Sequence, residues 1–230
     1  MSGLVSVIIP ALDEERVLPR ALRYLGSIPG RFEVIVVDGG SSDATVETAR
    51  AHGARVLRRP PGERERAGQL NAAADQASGD VLLFLHADTM LPARAYAAVV
   101  EALRDPCVAG GNFSLRFDGD DRFSRLLGRV YAILRSVGIY YGDSAVFVRA
   151  EVFRELGGFR ALPIMDDYDF VRRLERRGLT VCLPGPAVTS ARRWQALGVR
   201  RTVTSWVLIQ SLFLAGVSPS RLAHLYRSAR

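Results

Sequence analysis

The sequence predicts an α/β protein with a Rossmann-like, mostly parallel sheet flanked by helices, and three observations carry that expectation. Strand-like and helix-like segments alternate through roughly the first hundred residues. Val81 to Leu85 is an unbroken apolar run, which fits a parallel strand covered on both faces. Acidic residues follow such runs directly, at the sheet edge where open α/β folds bind ligands.

Taken in order, Leu4–Pro10 reads as a strand and Glu14–Leu25 as a helix. Phe32–Asp38 is the second strand, followed by a helix over Asp43–His52. Ala54–Arg59 is the third strand and Arg66–Ala77 its helix, and Asp80–His86 then runs towards a helix over Ala93–Leu103. Right-handed crossovers should connect these units. After Pro106 the rhythm changes. Val108–Phe117 alternates like an exposed-edge or antiparallel strand, and Ser144–Phe153 reads as a strand running into a helix. Asp167–Arg177 is a strongly charged helix stopped by Gly178. A small antiparallel part and C-terminal helices therefore complete the fold. No repeat or linker composition interrupts residues 1–230, which are expected to form one domain: about 1–105, about 106–195, and a helical extension over about 196–230.

Composition narrows the chemistry. All 31 positive charges are arginines, so a Schiff-base lysine and the P-loop lysine are both excluded. A net charge of +7 suggests an anionic partner, such as a nucleoside diphosphate or a membrane surface. Nucleic acid is not expected, because the arginines lack interleaved aromatics. Cys107 and Cys182 form no CxxC pair and read as reduced and structural. The first fifteen residues lack a basic n-region, and the most apolar late segment, Thr202–Val217, is short for a span. A cytoplasmic location follows as the expectation, with contact at the inner face of the cell membrane left open.

Three strand ends converge on one edge. Pro10 and Ala11 keep the first uncluttered, and Asp13 and Glu14 either join the site or start the helix. Asp38 leaves the second strand, Gly39 and Gly40 turn the chain, and Asp43 is placed to cap the next helix. His86 and Asp88 leave the fourth at i and i+2, a spacing that can direct both towards one divalent ion bridging diphosphate oxygens. No GxGxxG follows the first strand, and no GxxxxGK[ST] occurs.

At this point the segments VSVIIPALDEE, EVIVVDGGSSD and GDVLLFLHAD resemble the nucleotide half of glycosyltransferase family 2, inverting enzymes of the GT-A fold. GDSAVFVR, PIMDDYDF, SARRW and GVSPSRLAHLY resemble a compact bacterial subgroup, labelled arsenosugar-biosynthesis-associated or carotenoid-glycosyltransferase-like. The resemblance runs from Val5 to Tyr226, and the ordered set of motifs is what carries it.

The resemblance implies transfer of a sugar from a nucleoside-diphosphate donor, expected to be UDP-linked, to a hydroxyl acceptor. The family's DxD motif falls on His86-Ala87-Asp88, with Asp88, and His86 if it ligates, holding Mn2+ or Mg2+. Asp38 and Gly39, with Pro10, Ala11, Asp13 and Glu14, should form the nucleoside pocket. Arg66, Gln69 and Asn71 match the segment that reaches the donor, and an arginine fork suits a diphosphate. The catalytic pair falls on Asp166-Asp167, with Asp167 as base and Asp166 orienting the base or acceptor; if they share space, one pKa should rise. Gly142, Asp143, Arg192, Arg193 and Trp194 are candidates for the acceptor or the diphosphate, although Trp194 beside arginines also suits a packing corner.

Departures from the family limit the carry-over. His86 replaces an acid, Asp166 is one methylene shorter than the usual glutamate, and Ser144 stands where the subgroup has glutamine. Ser190 takes the glutamine place of the QxxRW motif, which argues against processive synthesis. The apolar helices late in the chain suit core packing, a homodimer contact, or a peripheral membrane surface admitting a lipid-linked or carotenoid acceptor. A sugar-nucleotide-binding or membrane-associated partner without turnover, and a nucleotidyltransferase, are the alternative functions.

Overall fold

The computed structural model describes residues 3–58 and 65–228; Arg59, the last residue of the expected third strand, lies outside them. Four parallel strands open the chain. They are β1 (Val5–Ala11), β2 (Phe32–Asp38), β3 (Arg55–Arg58) and β4 (Val81–Phe84), separated by α1 (Leu18–Ser27), α2 (Thr45–Ala51) and α3 (Arg66–Asp75). Then follow α4 (Ala95–Ala102), β5 (Val108–Phe117), α5 (Arg122–Ser136), β6 (Val146–Arg149) and α6 (Ala150–Glu155). Finally come α7 (Asp166–Arg177), β7 (Leu179–Thr189), α8 (Arg192–Leu197), α9 (Val199–Leu214) and α10 (Pro219–Ser228). The seven strands form one sheet in the order β3-β2-β1-β4-β6-β5-β7. Of these, β6 alone pairs antiparallel, with β4 on one side and β5 on the other.

The unbroken apolar runs are explained by two covered faces. Along β1, Val5, Val7 and Ile9 join one core with Leu18, Leu22 and Leu25 of α1. Ile8 points the other way, into a second core with Leu70 of α3, Phe153 of α6 and Phe170 of α7. The β4 run divides likewise: Val81, Leu83 and Leu85 on one face, Leu82 and Phe84 on the other. Each fully buried chain of this size contributes about 1.5–3 kcal/mol, so polar alternation is not tolerated on either face. Ser6 is fully buried in β1, but it donates to Glu33 at 2.6 Å and accepts from the Gly79 N–H at 2.9 Å.

Two expectations need correction. Val108–Phe117 is antiparallel to β6, as one of its two readings had it, but it is not an exposed edge: β5 lies between β6 and β7, and its first six residues are buried. Gly110 and Gly111 are what permit this, since a Cβ at either would overlap the Phe147 or Val181 backbone. The alternation of small and large residues there resembles a half-exposed strand in sequence, but in fact it accommodates close neighbours. The first helix also begins at Leu18 rather than Glu14. Glu14–Val17 form a turn closed by the Val17 N–H on the Glu14 carbonyl, and Pro19 supplies the pre-set φ of a helix start. Cys107 and Cys182 are free thiols on exposed positions rather than core residues.

Candidate active site

The carboxyl ends of β1, β2 and β4 form the floor of the site. The Gly39 N–H bonds the Ala11 carbonyl at 2.9 Å, and Asp38, only 3% exposed, accepts the Ser41 N–H at 2.9 Å. The Gln69 side chain of α3 lies directly against Gly39. Asp13 ties the first loop to the second: its carboxylate accepts from the Ser42 N–H at 2.8 Å and its own N–H donates to Ser41 at 2.9 Å. Asp43 both caps Thr45 at the start of α2 and accepts the Glu15 N–H at 3.1 Å.

A charged cluster sits above this floor. Asp167 is held by backbone donors, with the Gly142 N–H on Oδ2 at 2.9 Å and the Tyr168 N–H on Oδ1 at 2.8 Å. Arg66 lies 3.7 Å from Asp166 and 3.8 Å from Asp167. Gly142 is a packed position: a Cβ there would come within 3.2 Å of both His86 Nε2 and Asp167 Oδ2. The three non-glycine residues with positive φ among those described are Asp13, Ala145 and Met165. Ala145 follows the Gly142–Ser144 turn and Met165 stands immediately before the Asp166-Asp167 pair, as expected where packing enforces a functional geometry.

Electrostatics separate the paired acids. Burial raises the Asp166 pKa, opposed by Arg66 and reinforced by Asp167, and its Oδ2 is buried with no hydrogen bond. The Asp167 pKa falls despite burial, because Arg66, the Gly142 N–H, His86 and the Tyr168 N–H all favour its charge. The rise that would mark the base falls on Asp166 and not on Asp167, the expected base. Burial, with Arg66 adding to it, drives the His86 pKa down to about 3, leaving a neutral imidazole whose buried Nε2 has no hydrogen bond.

Asp143 moves furthest among the acids. Burial, reinforced by Asp167, pushes its carboxyl from 3.8 up to about 7. Between these values the folded chain holds a proton that the unfolded chain has released. The stabilisation from that proton is full below pH 3.8 and is lost as pH rises through about 7. In metal-free buffer, Asp143→Asn is therefore expected to melt above the parent at pH 8, by at least about 3 °C. The gap should close towards pH 4; a pH-independent difference in melting temperature would exclude this account.

Some candidates lie elsewhere. Asn71 does not face the donor side, because both ends of its amide bond the Phe159 backbone, at 2.8 and 2.9 Å. Arg193 stacks over Tyr226 at 4.5 Å and Trp206 at 5.8 Å, away from the acids. Trp194 is the packing corner, 5% exposed against Phe117, Phe123 and Trp206. Arg192 does enter the site. Its two terminal nitrogens bond Glu14, each at 2.9 Å, and its Nε lies 3.1 Å from Asp88. Ser144 is turned away and donates to the Tyr141 carbonyl at 2.6 Å.

Sequence reading missed an aromatic wall. Tyr141 stacks on Tyr168 at 5.8 Å and meets Tyr131 at 5.9 Å, beside Gly142 and Asp167. The available signal was the Tyr140-Tyr141-Gly142 run, where bulky rings directly precede a glycine that adjoins the acids.

Among the described residues no group of three or more His, Cys, Asp or Glu side chains is gathered to cage a metal. The residues do fit an ion that takes most of its ligands from a diphosphate and water, as Mg2+ and Mn2+ do. Asp88 could supply an oxygen ligand, and the unpartnered Nε2 of neutral His86 is chemically competent. Burial raises the Asp88 pKa, while Arg192 opposes the rise. Beside Asp88 lies a cavity of about 160 Å3 that includes Arg16, Arg20, Met90, Asp118 and Ser190.

The strand order and the crossover edge are those of the GT-A fold. Residues 6–176 match the Glycosyl transferase family 2 profile, and the chain belongs to that family of glycosyltransferases. It is 27% identical over 199 residues to the cellulose synthase 1 catalytic subunit (UDP-forming) of Komagataeibacter xylinus, covering 76% of this chain and 26% of the relative. It is 32% identical over 162 residues to an undecaprenyl-phosphate 4-deoxy-4-formamido-L-arabinose transferase of Pseudomonas paraeruginosa (64% and 46%). The chain thus spans under half the length of these relatives.

Among solved structures, a Pyrobaculum calidifontis mannosyltransferase in complex with GDP-Man and Mn2+ superposes with a TM-score of 0.71 at 21% identity, covering 96% of this chain and 68% of that one. Glucosyl-3-phosphoglycerate synthase from Mycobacterium tuberculosis, in complex with Mn2+, UDP and phosphoglyceric acid, gives 0.61 at 23% identity (89% and 77%).

Proposed function

We propose that the protein is an inverting, divalent-metal-dependent glycosyltransferase that moves a sugar from a UDP-linked donor to the hydroxyl of a lipid-linked or carotenoid acceptor. The observation that carries this reading is Asp167: ionised, aimed by two backbone N–H groups, and flanked by Arg66 at the strand-end cleft. Asp38, Gly39, Ala11 and Gln69 form the floor for the nucleoside. Asp88, with neutral His86 beside Arg66, would hold the ion, which when bound offsets charge on the departing diphosphate.

Asp167 accepts the acceptor's hydroxyl proton as that oxygen bonds the anomeric carbon. The bond from this carbon to the diphosphate oxygen breaks on the opposite face, so the configuration inverts. Asp166, bearing an unpaired buried oxygen beside Arg66, positions the guanidinium that orders its neighbour. Arg192, bonded to Glu14 and Asp88 across the strand ends, swings from them to admit a nucleotide. There its fork suits the diphosphate.

A panel of nucleotide sugars read by thermal shift with and without Mn2+ tests this reading. A UDP-sugar should raise the melting temperature only with the metal. Mass spectrometry and anomeric analysis of the product should then show an inverted glycoside. No shift with any donor in Mn2+ would sink the proposal.

A further inference from the structure

Of the twelve large apolar side chains exposed among the described residues, nine lie on or beside α5, α9 and α10. Along α5, Leu126, Val130 and Ile133 are 56, 39 and 68% exposed, and Val137 just beyond is 64% exposed. Their spacing places them in one stripe. No charged residue occurs from Thr202 to Leu214 in α9, a composition suited to a core or a membrane. Yet only Thr202 and Ile209 of that helix are buried, and Val207, Leu208 and Leu214 are more than half exposed.

Charge separates in the same direction. From Arg176 to the C-terminus the sequence has nine arginines and no acid, whereas the whole chain nets +7. The arginines are thus not evenly spread, because the preceding part is slightly acidic. Within α5, Arg122, Arg125 and Arg129 are exposed and the helix itself contains no acid, although exposed Asp120 and Asp121 stand at its start.

We propose that α5 and α9 form a docking surface for an anionic lipid bilayer. Apolar side chains beside a local excess of arginine match both layers of such a surface, the acyl boundary and the phosphate headgroups. A second copy fits less well, because self-association of this face would oppose like charges. No described helix is long and apolar enough to cross a membrane, so the contact is superficial.

The surface borders the acceptor side of the cleft. Gln210 of α9 accepts from the Tyr141 hydroxyl at 3.0 Å, and Phe213 packs edge-on against Tyr168 at 5.8 Å. If the transferase reading holds, an acceptor held in the bilayer would be presented next to Asp167.

The test is sedimentation of the full chain with vesicles of equal parts phosphatidylglycerol and phosphatidylcholine, and with phosphatidylcholine alone. Binding should be strong with the first, weak with the second, and reduced by salt. The exposed double variant Ile133→Asp/Leu208→Asp should bind the anionic vesicles at least about tenfold more weakly. Its donor-induced thermal shift should match the parent's, showing an intact fold and donor site. The proposal is overturned if the parent stays in the supernatant, or if the double variant binds as well as the parent. It is also overturned if the parent is a dimer that the substitutions split, because the surface is then a protein contact. Donor binding is read separately, so failure of the transferase reading leaves the vesicle result interpretable.

Discussion

Asp167→Asn should lower sugar transfer by about 10²–10⁴-fold, the range supplied by a positioned general base. The amide oxygen can still accept the Tyr168 or Gly142 N–H, so folding and donor binding should survive. The checks are turnover with a saturating donor, together with a donor thermal shift equal to the parent's. Asp166→Asn separates the neighbouring roles. It keeps the shape but weakens the hold on Arg66, so it should reduce transfer less and shift its pH profile, since Asp166 has the raised pKa and Asp167 the lowered one. Full activity of Asp167→Asn would move the base elsewhere in the cluster, with buried Asp143 next in line.

Asp88→Ala carries the second large effect. It removes the oxygen ligand at the end of β4 and should abolish the Mn2+-dependent part of the donor thermal shift. Transfer should fall by about 10²–10³-fold, as for loss of a main stabiliser of the leaving charge. Arg192→Ala is the informative comparison. It releases both Glu14 and Asp88, so Mn2+ should bind the donor-free protein more tightly than it binds the parent, by direct titration. Unchanged Mn2+ affinity in both variants would place the ion away from Asp88.

The legible part of this protein follows one pattern. Strand runs such as Val81–Leu85 reveal themselves because two covered faces demand apolar residues at every position. Asp38, Asp88 and the Asp166-Asp167 pair are visible because acids directly after such runs, or opening a charged helix, are not needed for burial. Helix starts were less legible: the Glu14–Val17 turn and the helix proper both tolerate acids. The exposed-edge reading of β5 failed because its alternation suggested a solvent face, whereas Gly110 and Gly111 mark close backbone approach.

Within the SARRW segment, sequence could not apportion roles among adjacent residues. The geometry sends Arg192 to the acids, Arg193 onto aromatic rings and Trp194 into a core. Successive helical side chains leave the axis about a third of a turn apart, so neighbours in sequence face different surroundings. Asn71, two residues from Gln69, diverges for the same reason: Gln69 reaches Gly39, while Asn71 clasps the Phe159 backbone.

By itself, the sequence determined the α/β class and singled out the sheet edge and the acids proposed to carry the chemistry. These are properties of local pattern and residue type. Tertiary structure alone decided which acid has its pKa lowered and which raised, because the answer depends on Arg66, Gly142 and Tyr168 converging on Asp167 and leaving Asp166 with an unpaired oxygen. It also decided that Arg192 closes over Glu14 and Asp88, a contact between residues 178 positions apart in the first of these pairs. Burial and charge proximity are properties of the assembled fold, and a pKa responds to both through space.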